Sequence, residues 1–140
     1  MYLLKTEHAF DSAHFLAGYE GKCSNIHGHR WTVIAEVGSE DLEKLGQLRD
    51  MVIDFGDLKK VLRREVDALD HALIIEEGTL KDNTLECLKE EGFNIIEVNF
   101  RPTAEAFSKY FFDKITEAGM PTKRVTVYET PNNAATYEAN

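Results

Sequence analysis

Residues 2–14 read YLLKTEHAFDSAH and residues 27–37 read HGHRWTVIAEV. In both stretches side chains alternate between two faces, which is the period of a β-strand. A polar, glycine-containing loop over residues 18–25 joins them. If the two strands pair as an antiparallel hairpin, the end of the first lies beside the start of the second. This pairing brings His14 near His27 and His29.

Two later segments have a helical period. Apolar residues recur at helical spacing from Asp54, a suitable N-cap, to about Leu69. A second helix begins after Pro102 and Thr103 and is closed by Gly119. We therefore expect two long helices after the hairpin.

The rest of the chain is expected to be strand and turn. Residues 123–130 and 134–138 predict a second hairpin. Between the helices, Thr84 predicts the start of a short helix that ends at Gly92, followed by a minor strand over residues 93–100. The main order of two strands, two helices and two strands predicts an α+β fold, with helices on one face of an antiparallel sheet.

Composition limits the classes of function. The 140 residues predict a single domain, residues 1–140, with 43% hydrophobic and 29% charged residues and no apolar run long enough to cross a membrane. Sixteen basic against 25 acidic residues give a net charge of -9, which argues against nucleic acid as a partner. The first residues lack the apolar core of a signal peptide, and two cysteines make no disulfide framework. We expect a cytoplasmic protein.

Three of the five histidines form the clearest candidate site. His27 and His29 project to one face of their strand, and His14 ends the neighbouring strand. Three imidazoles leave the fourth tetrahedral position of a zinc ion open, as in catalytic sites. The spacing is equally compatible with strand-end histidines that hydrogen-bond to the backbone. His8 lies about 20 Å along the strand from His14, at about 3.3 Å per residue, and is expected to be structural.

Cysteine chemistry near these histidines has two interpretations. Cys23 lies four residues before His27, in the loop that the hairpin closes. It could be a fourth ligand of a closed site, or a thiolate that acts as a base or nucleophile beside the cation. Cys87 is expected to be a small buried apolar residue.

Two acidic positions are further candidates. Asp70 precedes His71, so the carboxylate could hold the tautomer of the imidazole, although the pair could equally be a helix end. Glu129 continues the face of Val125 and Val127, where the alternation calls for an apolar residue. A carboxylate there could bind the guanidine-like edge of a small heterocycle with two hydrogen bonds, or could reach solvent at the strand end.

Together these motifs resemble the 6-pyruvoyl-tetrahydropterin synthase family of the tunnelling fold, which includes the 6-carboxytetrahydropterin synthases. The resemblance covers nearly the whole chain. It is carried by FDSAH (10–14), CSNIHGH (23–29), DF (54–55), LDH (69–71), PTAE (102–105) and YET (128–130).

The resemblance implies a role for each motif. Zinc would bind to His14, His27 and His29, and Cys23 would be the catalytic proton acceptor. Asp70 and His71 would form a proton relay, and Glu129 would anchor the pterin. The resemblance also implies a homo-oligomer in which subunits form a barrel and active sites lie at subunit interfaces, with Thr103 and Glu105 approaching the pterin of a neighbouring subunit.

The three residues between Cys23 and His27 resemble the carboxytetrahydropterin branch. The implied activity is that of a zinc-dependent lyase converting 7,8-dihydroneopterin triphosphate to 6-carboxy-5,6,7,8-tetrahydropterin, with release of acetaldehyde and triphosphate, towards queuosine. Lys22 and Arg30 are candidates for binding the triphosphate. The alternatives are 6-pyruvoyl-tetrahydropterin synthase, a noncatalytic zinc- or pterin-binding module, and a closed zinc site that includes Cys23. The chain departs from the family pattern at Ile74 and Ala106 and in the longer span between His71 and Pro102.

Overall fold

A computed structural model describes residues 1–140. The elements follow in the order β1 (Tyr2–His14), β2 (His27–Ser39), α1 (Phe55–Asp67), β3 (Ala72–Glu76), α2 (Asp82–Glu90), β4 (Ile95–Val98), α3 (Ala104–Glu117), β5 (Thr122–Thr130) and β6 (Asn133–Glu138). The predicted hairpin is confirmed: β1 and β2 pair along their whole length, with His14 opposite His27. The two long helices begin at the predicted caps, since Asp54 accepts a hydrogen bond from the amide of Gly56 and Thr103 accepts one from the amide of Ala106.

The predicted α+β class is confirmed, but the sheet is mixed. Its six strands run in the order β4-β3-β1-β2-β5-β6. β1, β2, β5 and β6 are antiparallel as predicted, whereas β3 is parallel to β1 and to β4. β3 was not predicted because ALIIE is a continuous apolar run without alternation, and such a run does not distinguish a buried strand from a helix.

The helices lie on both faces of the sheet. α1 and α3 cover the face that carries the main core, as expected. α2 packs on the opposite face of β3 and β4: Ile75 is 1% exposed but lies outside the main core, and Lys89 on α2 pairs with Glu97 on β4 at 3.3 Å. The prediction for Cys87 is wrong, because this residue lies on the solvent side of α2 and is exposed.

An aromatic cluster forms the centre of the core between the sheet and α3. The Trp31 ring stacks on Phe10 at 5.9 Å between centroids and meets Phe107 edge-on at 4.9 Å. All three side chains are fully buried. Because Trp31 continues the β2 face that carries His27 and His29, this core lies directly behind the histidines.

Most of one long strand edge has no partner within the chain. β3 pairs with β1 only at Ser12 and Ala13, and the backbone of Asp11 is bonded to Asp70 and His71, so residues 2–10 of β1 form an open edge of the sheet. The other open edge of the antiparallel part is β6.

No helix in the structure is both long and apolar enough to span a membrane.

Candidate active site

The three histidines meet where β1 ends and β2 begins. One possible ligand atom from each of His14, His27 and His29 lies within 4.8 Å of the others. The Nε2 atoms of His14 and His27 are 3.0 Å apart. His29 Nε2 is buried and has no hydrogen-bond partner. The predicted convergence is therefore confirmed.

Backbone carbonyl groups set the tautomers of two of these rings. His14 Nδ1 lies 2.6 Å from the carbonyl oxygen of Pro102, and His27 Nδ1 lies 2.7 Å from that of Asn25. A carbonyl oxygen only accepts, so both Nδ1 atoms must donate. In the neutral rings the Nε2 lone pairs then face each other, which is favourable only with a cation between them. Metal-binding histidines commonly have this arrangement.

Burial favours the neutral, metal-binding form of His14 and His29. His14 is 2% exposed, and desolvation lowers its pKa to about 4, although its hydrogen bond to Pro102 acts in the opposite direction. Desolvation also lowers the pKa of His29, against the charge of Glu129, whose Oε1 is 3.5 Å from His29 Nε2. Both rings are available as ligands at neutral pH.

Cys23 lies in the same cavity as two of the histidines. This cavity, which we call the metal-site cavity, has a volume of about 610 Å³, and its lining includes Cys23, His27, His29 and Glu129. Cys23 is half-buried in a single 3-10 turn, Lys22–Ser24. Lys22 lines the same cavity, whereas Arg30 does not and pairs with Asp11 at 2.9 Å.

Glu129 connects the metal-site cavity to a second cavity. The second one, of about 290 Å³, is lined by Glu129 and Glu105 together with the start of β6. The carboxylates of Glu105 and Glu129 and the histidine site thus lie along two adjoining cavities of one chain. The Thr103 hydroxyl is used as the N-cap of α3.

Asp70 and His71 form a pair, but away from Cys23. His71 Nδ1 donates to Asp70 Oδ2 at 2.9 Å, and Asp70 Oδ1 accepts from the amide of Asp11 at 2.8 Å. The Asp11 amide, followed by His71, lowers the pKa of Asp70 below its ordinary value, so the carboxylate is ionised at neutral pH. His71 lines another cavity of about 690 Å³, which we call the relay cavity; His29 also lines it, whereas Cys23 does not.

Sequence reasoning missed the groups that support the histidines. The Trp31 ring is edge-on to both His14 and His29, at 4.9 and 5.3 Å between centroids. The contact of Trp31 with the histidines could have been predicted from the alternation of β2, because Trp31 is the next residue on the face that carries His27 and His29. The Pro102 carbonyl had no such signal, because it lies 88 residues from His14 in the chain.

Comparison with known proteins gives a consistent result. Residues 3–140 match the family model described as 6-pyruvoyl tetrahydropterin synthase. The chain is 33% identical over 141 residues to a Haemophilus influenzae protein named 6-carboxy-5,6,7,8-tetrahydropterin synthase, with 99% of each chain covered. A Synechocystis protein of the same name is 33% identical over 139 residues, covering 98% of this chain and 93% of its own.

Solved structures have the same fold. A Caenorhabditis elegans 6-pyruvoyl tetrahydropterin synthase superposes with a TM-score of 0.69 at 25% identity, covering 99% of this chain and 96% of the other. An uncharacterized protein from Wolinella succinogenes has a TM-score of 0.77 at 20% identity, covering 99% and 98%. The latter similarity concerns the fold alone.

Proposed function

Because the chain belongs to the 6-pyruvoyl tetrahydropterin synthase family, we propose that it is a zinc-dependent lyase acting on 7,8-dihydroneopterin triphosphate. The products are 6-carboxy-5,6,7,8-tetrahydropterin, acetaldehyde and triphosphate. The observation that carries the proposal is one cavity that joins converging histidines to Cys23 and Glu129. The names of the relatives support the carboxytetrahydropterin product. We propose that the reaction is a cytoplasmic step towards queuosine.

His14, His27 and His29 would hold the metal. The fit rests on the buried, unpartnered Nε2 of His29 and on the two Nε2 atoms that face each other at 3.0 Å. Three neutral imidazoles with an open fourth position suit zinc. When bound there, the ion supplies Lewis-acid polarisation of substrate oxygens. Cys23 then stays outside the ligand set and is available to take a proton.

Three side chains of the metal-site cavity act on the substrate. Glu129 accepts two hydrogen bonds from the amino-pyrimidinone edge of the pterin, which fixes the side chain of the substrate towards the histidines. Cys23 takes a proton from the side-chain carbon, as a general base in that cavity. Lys22 beside Cys23 supplies a positive charge for the triphosphate.

The relay pair acts across a subunit boundary. His71 is 79% exposed in its side chain and faces the relay cavity, whereas Cys23 faces the metal-site cavity. With Nδ1 bound to Asp70, Nε2 of His71 points outward to exchange a proton. We therefore propose that His71 of one subunit serves the site of its neighbour.

A mixing experiment tests the shared site. Cys23→Ala and His71→Asn chains are each expected to be inactive. When they are unfolded together and refolded, random pairing should restore about a quarter of the wild-type activity, because some interfaces receive both intact groups. No recovery from verified mixed oligomers would mean that both groups act within one chain.

The open edges of the sheet support the oligomer. β6 of one copy and β1 of the next would continue the antiparallel order and remove the unpaired edge of residues 2–10. A cavity of about 650 Å³ beside that edge is lined by Lys5, Lys59 and Arg63, none of which has an ion-pair partner in the chain. Repetition of this contact closes a ring, the barrel that we propose.

Product analysis tests the reaction. The zinc-loaded protein is incubated with 7,8-dihydroneopterin triphosphate, and products are identified by mass spectrometry while acetaldehyde is trapped. Carboxytetrahydropterin together with acetaldehyde is the expected result. A pyruvoyl product would move the chain to the sister activity, and pterin binding without turnover would indicate a binding module.

Two variants separate the base from the ligands. Cys23→Ala should abolish turnover and leave about one zinc per subunit, because three histidines hold the metal. His27→Ala should lose both zinc and turnover. Loss of zinc from Cys23→Ala would instead make Cys23 a ligand of a closed site.

A further inference from the structure

The loop that carries Cys23 has few hydrogen bonds to the rest of the protein. Within residues 15–26 the amide of Leu16 donates to the carbonyl of Cys23 at 2.8 Å, and the amide of Tyr19 donates to the carbonyl of Leu16 at 3.2 Å. These bonds close the loop on itself. The only hydrogen bond from this loop to an element outside the β1–β2 hairpin comes from Arg101, which donates from Nη2 to the carbonyl of Ala17 at 2.9 Å.

Arg101 makes a second contact with the same loop. Its guanidinium carbon lies 5.8 Å from the centroid of the Tyr19 ring, and it has no carboxylate partner in the chain. The Tyr19 ring in turn lies against Gly21, where a Cβ would come within 2.8 Å of Tyr19 Cε1. Gly21 adjoins the 3-10 turn that contains Cys23.

Two routes therefore lead from Arg101 to Cys23. One runs through the Ala17 carbonyl to the preceding residue, Leu16, whose amide donates to the Cys23 carbonyl. The other runs through the Tyr19 ring and Gly21 into the turn. Both routes consist of direct contacts.

The residue after Arg101 supports the metal site. The carbonyl of Pro102 accepts the hydrogen bond from His14 Nδ1 at 2.6 Å. The amide of Thr103 donates back to the carbonyl of Arg101 at 2.8 Å, which fixes this segment at the start of α3. Two consecutive residues thus orient the histidine site and the cysteine loop from the same rigid support.

We propose that Arg101 is a positioning residue that holds the Cys23 loop over the metal-site cavity at a fixed distance from the histidines. This inference rests on the proposed function, in which Cys23 is the proton acceptor. Arginine suits the task because its planar guanidinium donates to a carbonyl and stacks on an aromatic ring at the same time, which an ammonium group does less well.

Measurements on the loop itself test the anchor without any assay of activity. In Arg101→Gln, hydrogen exchange of residues 15–26 should become about ten-fold faster, since a charged hydrogen bond and a cation–π contact are lost. Tryptic cleavage after Lys22 should accelerate by a similar factor, while cleavage after Lys44, in another exposed loop, serves as the internal control. Trypsin does not cut between Arg101 and Pro102, so the substitution leaves the cleavage map unchanged.

Kinetic measurements test the positioning role. Arg101→Gln should lower kcat about ten-fold or more with little change in KM or zinc content, because the base is displaced while the pterin anchor and the ligands are retained. Arg101→Lys should recover part of kcat, and Tyr19→Phe should behave like the wild type whereas Tyr19→Ala should not. Arg64→Gln, an exposed arginine paired with Glu65 at 3.1 Å, is the matched control.

The outcomes that would overturn the inference are distinct from failure of the proposed function. Unchanged exchange and cleavage of the loop in Arg101→Gln would refute the anchor. Loss of zinc in that variant would mean that Arg101 acts through His14, and would also overturn the inference. If the wild-type chain shows no turnover, the proposed function fails, and the exchange and cleavage rates still decide whether Arg101 holds the loop.

Discussion

Acidification of the metal-free protein should reveal the buried imidazole of His14. Burial lowers the pKa of His14 to about 4 from an ordinary value of 6.5, so the folded chain binds fewer protons than the unfolded chain between these values. The stability that comes from keeping His14 neutral is fully present above about pH 6.5. It is lost progressively as the pH falls towards 4.

The size of the effect follows from the two pKa values. At about 1.36 kcal/mol per pH unit, the difference between 6.5 and about 4 amounts to about 3 kcal/mol of unfolding free energy from His14 alone. His29 adds to the loss, because its pKa is also lowered by burial. The comparison of wild type with a variant at position 14 isolates the first contribution.

Urea denaturation in the presence of a chelator, from about pH 7 to about pH 4, measures the loss of unfolding free energy that comes from His14. In His14→Asn the amide nitrogen can still donate to the Pro102 carbonyl, but nothing titrates at that position. The variant should be less stable near neutral pH. Between about pH 7 and about pH 4 its free energy of unfolding should fall by about 3 kcal/mol less than that of the wild type. Phe10→Leu, which weakens the same core without removing a titrating group, should keep the wild-type dependence. Parallel curves for wild type and His14→Asn would refute the reasoning.

Three further predictions concern the site and its support. Zinc at about 100 times its dissociation constant should stabilise the metal-free chain by about 2.7 kcal/mol in a thermal-shift titration, and His27→Ala should show no such shift. Asp70→Asn should lower kcat about 100-fold with unchanged zinc content, because the ionised carboxylate that orients His71 becomes a neutral amide; an unchanged kcat would contradict the relay. Trp31→Ala should lower the free energy of unfolding, measured by urea denaturation, by about 3–5 kcal/mol, and should weaken zinc binding in a metal titration, since the ring supports both His14 and His29. An unchanged zinc affinity would mean that Trp31 stabilises the core but does not support the metal site.

The elements that could be predicted from sequence are those with a clear period. β1 alternates over residues 2–14 and β2 over residues 27–37. The capping residues of α1 and α3, and the glycine after α3, defined the two helices to within two residues. The segment between α1 and α3 could not be read in the same way. β3 is a short apolar run whose parallel partner lies some 60 residues earlier in the chain, and nothing local specifies that pairing or the face on which α2 packs.

The histidine site was predictable because it depends on one hairpin. The antiparallel register alone puts His14 beside His27, and a spacing of two puts His29 on the same face. The supporting groups were not predictable, because Pro102 lies far along the chain from His14, Arg101 from Ala17, and Asp11 from Asp70. Backbone carbonyls and amides carry no sequence signature, so the tautomers of His14 and the ionisation of Asp70 required the structure.

His71 adopts a left-handed backbone conformation, with φ of 55°, at the point where the chain turns into β3. Its amide is held by the carbonyl of Asp11 at 2.7 Å, so the turn cannot relax. This conformation costs most side chains about 1 kcal/mol and costs glycine almost nothing. Selection of variants for thermostability alone would therefore favour His71→Gly and discard the imidazole. Any campaign to stabilise this protein should screen for turnover at every round, because its backbone and its chemistry demand different residues at the same position.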